Sequence, residues 1–194
     1  MSIVKAFSPP PYNYGEILRY SGAKGDNSDL RPIIDECIEE LDGKLKFLVC
    51  YDELSLKTEG DTVIFDSFSI RSKSLVKNLS GCERAILFSA TVGIELDRLI
   101  LKYGQISPTK ALFFQSIGAE RIEALCDAFC DFVKEENVNK RLCPRFSAGY
   151  GDCSLEAQRD VFRILDPTKK IGVSLTENLM MIPTKSVSAF IGIK

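Results

Sequence analysis

Residues 82–93, CERAILFSATVG, hold the strongest strand signal in the chain. An apolar run, Ala85 to Phe88, gives way to the small residues Ser89, Ala90 and Thr91, as expected of a buried strand closing on a tight turn. The turn at Ala90–Gly93 leads into IELDRLILKYG, which reads as a helix. That corner could set Thr91 and Gly93 at a helix N-terminus facing a ligand, or be an ordinary strand-to-helix connection. It lacks the Gly-x-Gly-x-x-Gly pattern, so a dinucleotide-binding fold has no support. A second helix is predicted from Ser107, with Pro108 in its first turn, to about Glu136. Ile122, Leu125, Phe129, Phe132 and Val133 form one apolar stripe along it.

Upstream, SPPPYN at residues 8–13 predicts an irregular N-terminal arm over about residues 1–13, because consecutive prolines favour extended chain. NYGEILRYSGAKGD reads as a short helix closed by glycine. DLRPIIDECIEELDG follows as a longer one, capped by Asp29, with Pro32 early and Gly43 at its end. KLKFLVCYDEL and DTVIFDSFSI read as extended segments, and SKSLVKNLSGC as a short helix with Gly81 just past it. Downstream, Ser154 is expected to cap LEAQRDVFRILD, a helix stopped before Pro167. The tail reads as short strands broken at Pro183, with Val187, Ala189 and Ile191 alternating with Ser186, Ser188 and Phe190. No repeat or linker divides the chain. Helices, strands, helices and strands in that order predict one α+β domain over residues 1–194, a mainly antiparallel sheet flanked by helices.

A chain of 194 residues with 45% hydrophobic and 27% charged residues has the balance of a globular protein with a real core. A net charge of −2 gives no general attraction to nucleic acid or anionic membranes, and no apolar run reaches the length of a membrane span. The N-terminus lacks the apolar core of a secretion signal, so a cytoplasmic protein is expected. There is no histidine, which removes Ser-His and Cys-His nucleophilic pairs and imidazole metal ligands. Seven cysteines cannot all pair within one chain, and none forms a Cys-x-x-Cys motif. No metal is expected. A thiolate cluster on Cys126, Cys130, Cys143 and Cys153 would be an alternative, although its spacing matches no common site.

The chemistry-bearing stretch is CPRFSAGYGDC, residues 143–153. Gly149 and Gly151 can take positive φ and turn backbone N–H groups inward, Arg145 offers a planar fork for a carboxylate or phosphate, and Tyr150 offers a flat face with a hydroxyl. A solvated connector fits the same composition. No Gly-Lys-Ser/Thr follows, so this is not a P-loop. Glu123, Asp127 and Asp131 recur every fourth residue on the long helix, either as an acidic ledge for a ligand amine or as a solvated face.

Over roughly fifty residues the C-terminal third resembles the activation domain of cobalamin-dependent methionine synthase. The pattern is carried by Arg145, Gly149 and Tyr150, then Leu165-Asp166, then Gly172, Leu175, Thr176 and Glu177, then Met181, Pro183 and Ser186-Val187-Ser188. The resemblance implies binding of S-adenosylmethionine and presentation of its methyl group to a cobalamin that has fallen into the inactive cob(II)alamin state. A flavodoxin-like donor supplies an electron, and cob(I)alamin takes the methyl. By the same resemblance Arg145 meets the ligand carboxylate, and the backbone of Ser147, Ala148 and Gly149 cradles it. Tyr150 lies near the methyl group and the corrin, as the nearest thing to a catalytic residue, and Asp127 or Glu123 meets the amine. The chain stops at Lys194, short of a further strand and helix, and carries neither a cobalamin domain nor an Asp-x-His-x-x-Gly motif. The expectation is a stand-alone, C-terminally short version that acts on a separate corrinoid-binding methionine synthase subunit. The alternatives are a non-catalytic corrinoid-protein adaptor and a cysteine-based metal or redox protein.

Overall fold

A computed structural model describes residues 2–24 and 28–194. Its elements in chain order are β1 (Ile3–Ala6), α1 (Tyr14–Ser21), a 3₁₀ turn (Ser28–Leu30), α2 (Arg31–Leu41), β2 (Leu48–Glu59), β3 (Thr62–Phe65), β4 (Ser69–Arg71) and α3 (Lys73–Asn78). There follow β5 (Arg84–Thr91), α4 (Glu95–Ile106), α5 (Pro108–Glu136), α6 (Ala157–Leu165), α7 (Pro167–Ile171), β6 (Ser174–Leu175), β7 (Met181–Ile182) and β8 (Ser186–Ile193).

The strand predicted at residues 82–93 is the middle of everything. β5 pairs antiparallel with β2 on one side, Tyr51 opposite Phe88, and with β8 on the other, Phe88 opposite Ala189. The sheet runs β4-β3-β2-β5-β8, with β1 also paired to β2. One face carries Val49, Ile86, Phe88, Ala189 and Ile191 against α1, α2, α4 and α5; the other carries Cys50, Leu87 and Phe190 against α3, α6, α7 and the β3–β4 hairpin. Covering both faces removes the polar half of the usual alternation, which is why β5 reads as a continuous apolar run. Serines on β8 are buried as well, and the Ser186 hydroxyl donates to Thr91 Oγ1 at 2.9 Å across the strands. The outcome is the α+β architecture, antiparallel and helix-flanked, that the order of elements implied.

Several local readings change. The arm is not irregular throughout: Ile3–Ala6 pairs with Leu48–Tyr51, because β2 is long enough to hold β1 and β3 at opposite ends of the same edge. Asp29 does not cap α2. It lies inside the 3₁₀ turn, and Leu30, already helical at φ −85°, takes the cap position with no side-chain bond. The glycine closure of α1 falls at Gly22, φ 74°, and the remainder of that stretch at residues 25–26 lies outside the described residues. DTVIFDSFSI is a hairpin rather than one strand, closed where the Phe65 N–H donates to the Phe68 carbonyl at 2.9 Å. Ser154 caps the turn ahead of α6, accepting from the Glu156 N–H at 3.2 Å, and the helix itself begins at Ala157. Among the described residues no helix is long and apolar enough to cross a membrane.

Candidate functional site

Residues 141–153 join α5 to α6, and their backbone is held, not loose. The Arg141 N–H donates to the Lys194 carbonyl at 3.1 Å and the Cys143 N–H to the Gly192 carbonyl at 2.8 Å. Phe146 and Phe190 exchange both of their backbone bonds, at 3.0 and 2.8 Å. The segment therefore finishes the outer edge of β8, which would otherwise present unpaired donors and acceptors. Strand-like geometry sends neighbouring side chains to opposite faces. Phe146 goes into the core beside Phe190, and Arg145 goes the other way, onto α5.

There Arg145 Nη2 donates to Glu123 Oε2 at 2.8 Å. Asp127 Oδ1 pairs with Nη1 at 3.0 Å, without the alignment of a hydrogen bond. The i, i+4 spacing of Glu123 and Asp127 sets both carboxylates on one side of the helix, within reach of one guanidinium. Cys126 and Cys130 complete the surroundings. Burial pushes both thiols up, so they face Arg145 as neutral groups. The resulting site has one fixed cation facing two carboxylates.

The second half of the segment is a tight turn. The Tyr150 N–H donates to the Ser147 carbonyl at 3.2 Å, the Gly149 N–H to the Cys153 carbonyl at 3.0 Å, and the Cys153 N–H back to Tyr150 at 3.1 Å. Gly149 has φ 85°, and a Cβ there would stand 3.2 Å from Leu155 Cδ1. Gly151 has φ 60° and passes so close to α3 that a Cβ would sit 2.6 Å from Ser74 Oγ. Asp152 locks the approach by accepting from Ser72 Oγ at 2.6 Å, Lys73 N–H at 2.8 Å and Ser74 N–H at 3.0 Å. These bonds, the Ser72 hydroxyl first, hold its carboxyl well below the usual aspartate range. The carboxylate also sits at the start of α3, where the helix dipole favours it.

The predicted site residues thus separate into two groups. Arg145, Glu123 and Asp127 come together. Glu123 and Asp127, with Asp131, line a groove of about 650 Å³ between α5 and the arm, walled by Tyr12, Tyr14 and Tyr20. Tyr150, 71% exposed and edge-on to Phe146 at 5.7 Å, lines a different cleft of about 450 Å³ with Ser74, Asn78 and Pro144. Ser147 serves the turn through its carbonyl, and Ala148 packs on the second core.

Two features of the site were not read from the sequence. One is Asp152, whose partners lie some eighty residues earlier and leave no local signal. The other is the buried pair of Glu120 and Arg121, joined by two contacts of 2.5 Å. Arg121 also donates to the carbonyls of Pro10 at 2.5 Å and Pro11 at 2.8 Å, with the Tyr12 ring 3.9 Å from its guanidinium. That clamp fixes the arm that walls the groove. Neighbouring Glu and Arg on a helix look like surface residues, and only the apolar residues around them signal otherwise.

The four-cysteine cluster does not assemble. Cys126 and Cys130 belong to the α5 side of the sheet, Cys143 and Cys153 to the opposite core. The cysteine-based metal reading loses its geometric basis with them.

The family model described as "Vitamin B12 dependent methionine synthase, activation domain" matches residues 87–194, more than half of the chain. Among solved structures, "Crystal Structure of the MetH Reactivation Domain bound to AdoHcy" matches with a TM-score of 0.73 at 14% identity, covering 99% of this chain and 78% of that one. At that identity the likeness speaks for the fold. A search of curated proteins found no match.

Proposed function

The chain belongs to the activation-domain family of vitamin B12-dependent methionine synthase, and on that premise we propose that it binds S-adenosylmethionine and supports reductive methylation of a separate corrinoid-carrying methionine synthase subunit. The observation that carries this reading is the placing of Arg145, a largely buried cation held between two more exposed carboxylates. A methionyl group is a zwitterion that fits this donor set. Its carboxylate takes the Arg145 fork, and its ammonium takes Glu123 or Asp127 in exchange. Those two carboxylates are 46% and 71% exposed, so the ion pairs displaced are worth only about 0–1 kcal/mol. A charge-assisted bidentate contact in their place contributes about 2–3 kcal/mol. Charge also fits, because one cation and two anions leave the site net negative and the ligand's sulfonium makes it net positive. The related reactivation domain bound to AdoHcy supports an adenosyl ligand on this fold.

The chain's own residues do little bond chemistry in this reading. Arg145 and its carboxylates orient the ligand, and the Ser147–Gly149 backbone shapes its seat. Tyr150 presents an exposed ring to whatever docks outside. In this reading the corrin is carried by a separate partner protein. That partner's corrinoid supplies the methyl acceptor, and a flavodoxin-like donor the electron, in the cytoplasm. The test is reductive methylation of a methionine synthase with S-adenosylmethionine, followed by the cobalamin spectrum. The methylated form should accumulate only when this protein is present. Equal reactivation without it would overturn the proposal.

A further inference from the structure

Two thiols that the reading above leaves unused are in direct contact. Cys82 Sγ and Cys143 Sγ lie 3.5 Å apart, although the residues are 61 positions apart in sequence. Cys82 sits in the turn that feeds β5, its N–H donating to the Leu79 carbonyl at 3.0 Å, and Cys143 sits in the edge segment bonded to Gly192. Gly192 is what lets them meet. A Cβ there would stand 2.7 Å from Cys82 Sγ and 3.2 Å from Cys143 Sγ, so any side chain on β8 at this point would fill the space the two sulfurs share. Cys143 is also among the residues that line the cleft beside Tyr150, and both cysteines are largely buried, with 9% of Cys143 and 7% of Cys82 exposed.

We propose that Cys82 and Cys143 form a redox modification site, at which a low-molecular-weight disulfide oxidises the pair and covalently fastens the loop carrying Arg145 and Tyr150 to the root of β5. The chemistry balances in two exchanges. The Cys143 thiolate attacks one sulfur of the oxidant, whose S–S bond breaks and releases one thiol. The Cys82 thiolate then attacks Cys143 Sγ and releases the second. The protein loses two protons and two electrons, and the oxidant leaves as two thiols. Burial, and then the contact with Cys143, pushes the Cys82 thiol up to about 12, so exchange speeds up as pH rises. The short separation of the sulfurs offsets the scarcity of thiolate by making the second exchange intramolecular. All seven cysteines are free thiols in the structure, which is therefore the reduced form.

The proposal stands independently of ligand binding, and its test uses the full chain, reduced anaerobically and then exposed to oxidised glutathione. The expected products are a peptide linked through Cys82 and Cys143, two fewer alkylatable thiols after unfolding, and full reversal by dithiothreitol. Closing a loop this long should raise the melting temperature by roughly 5–15 °C and slow amide exchange in residues 141–150. Cys82→Ser and Cys143→Ser should each abolish the linked peptide, and Cys126→Ser should keep it. Recovery of Cys143 only as its glutathione adduct, a link through any other cysteine, or seven free thiols after exposure would each overturn the proposal.

Discussion

Replacing Arg121 by Ala should be among the most damaging single changes in the protein. Its side chain is fully buried, as is that of Glu120 apart from a small fraction. Removing the guanidinium leaves a buried carboxylate without its counter-ion and two proline carbonyls without their donors. Breaking one side of a buried pair costs about 3–5 kcal/mol. Against a total stability of about 5–15 kcal/mol, that is a large share. For a chain of this length it corresponds to a fall in melting temperature of roughly 6–20 °C. Urea denaturation followed by far-ultraviolet circular dichroism measures it. The damage should be directional, with amide exchange in residues 7–14 accelerating first because Pro10, Pro11 and Tyr12 lose their anchor. The double change Glu120→Gln with Arg121→Met removes the stranded charge and should recover much of the loss. A loss below about 1 kcal/mol in Arg121→Ala would refute the claim that this pair clamps the arm.

Three further outcomes follow from the loop. Gly149→Val places a β-branched residue at φ 85° and within 3.2 Å of Leu155, so calorimetry should show no S-adenosylmethionine binding while the circular dichroism stays native; normal binding would make the turn a mere connector. Tyr150→Ala should slow methylation of the reduced corrin more than it weakens S-adenosylmethionine binding, because the ring is exposed and away from Arg145's partners; the assay splits the rate of methylation from the dissociation constant. Asp152 has its folded pKa depressed, so its anchoring of the turn is fully present above the unfolded value of about 3.9 and is lost as pH falls through the folded one. Protection of the amides in residues 147–153, measured against their intrinsic exchange rates, should therefore be full at neutral pH and fall in strong acid, and Asp152→Asn should show the lost protection at pH 7 as well.

The middle of the fold was open to reading because local rules and tertiary burial agree there. Residues 84–136 give a fully buried strand, a helix, and a long helix opened by Ser107 and Pro108, and that is what forms. Reading failed where a residue's role is set by a distant partner. β1 is four residues long and exists because β2 offers it an edge. Asp152 looks like a loop aspartate until α3 is placed beside it. In the site itself, the nearness of Arg145 to Glu123 and Asp127 is implied only by the family resemblance, which sets them on the carboxylate and the amine of one ligand; no local pattern encodes it. Arg145 reaches α5 because the edge pairing with β8 turns Phe146 inward, and no periodicity within residues 143–153 encodes that. The separation of Tyr150 from Arg145's carboxylates into two clefts was equally invisible, since five residues of sequence carry no direction.

The central claim is that Arg145 and its two carboxylates form the seat of S-adenosylmethionine. Isothermal calorimetry with S-adenosylmethionine, on the unaltered protein and on a folded Arg145→Ala variant, tests it most directly. The account predicts one ligand per chain, and affinity lower by roughly 30- to 150-fold in the variant. No binding to the unaltered protein, or the same affinity in both, would contradict it.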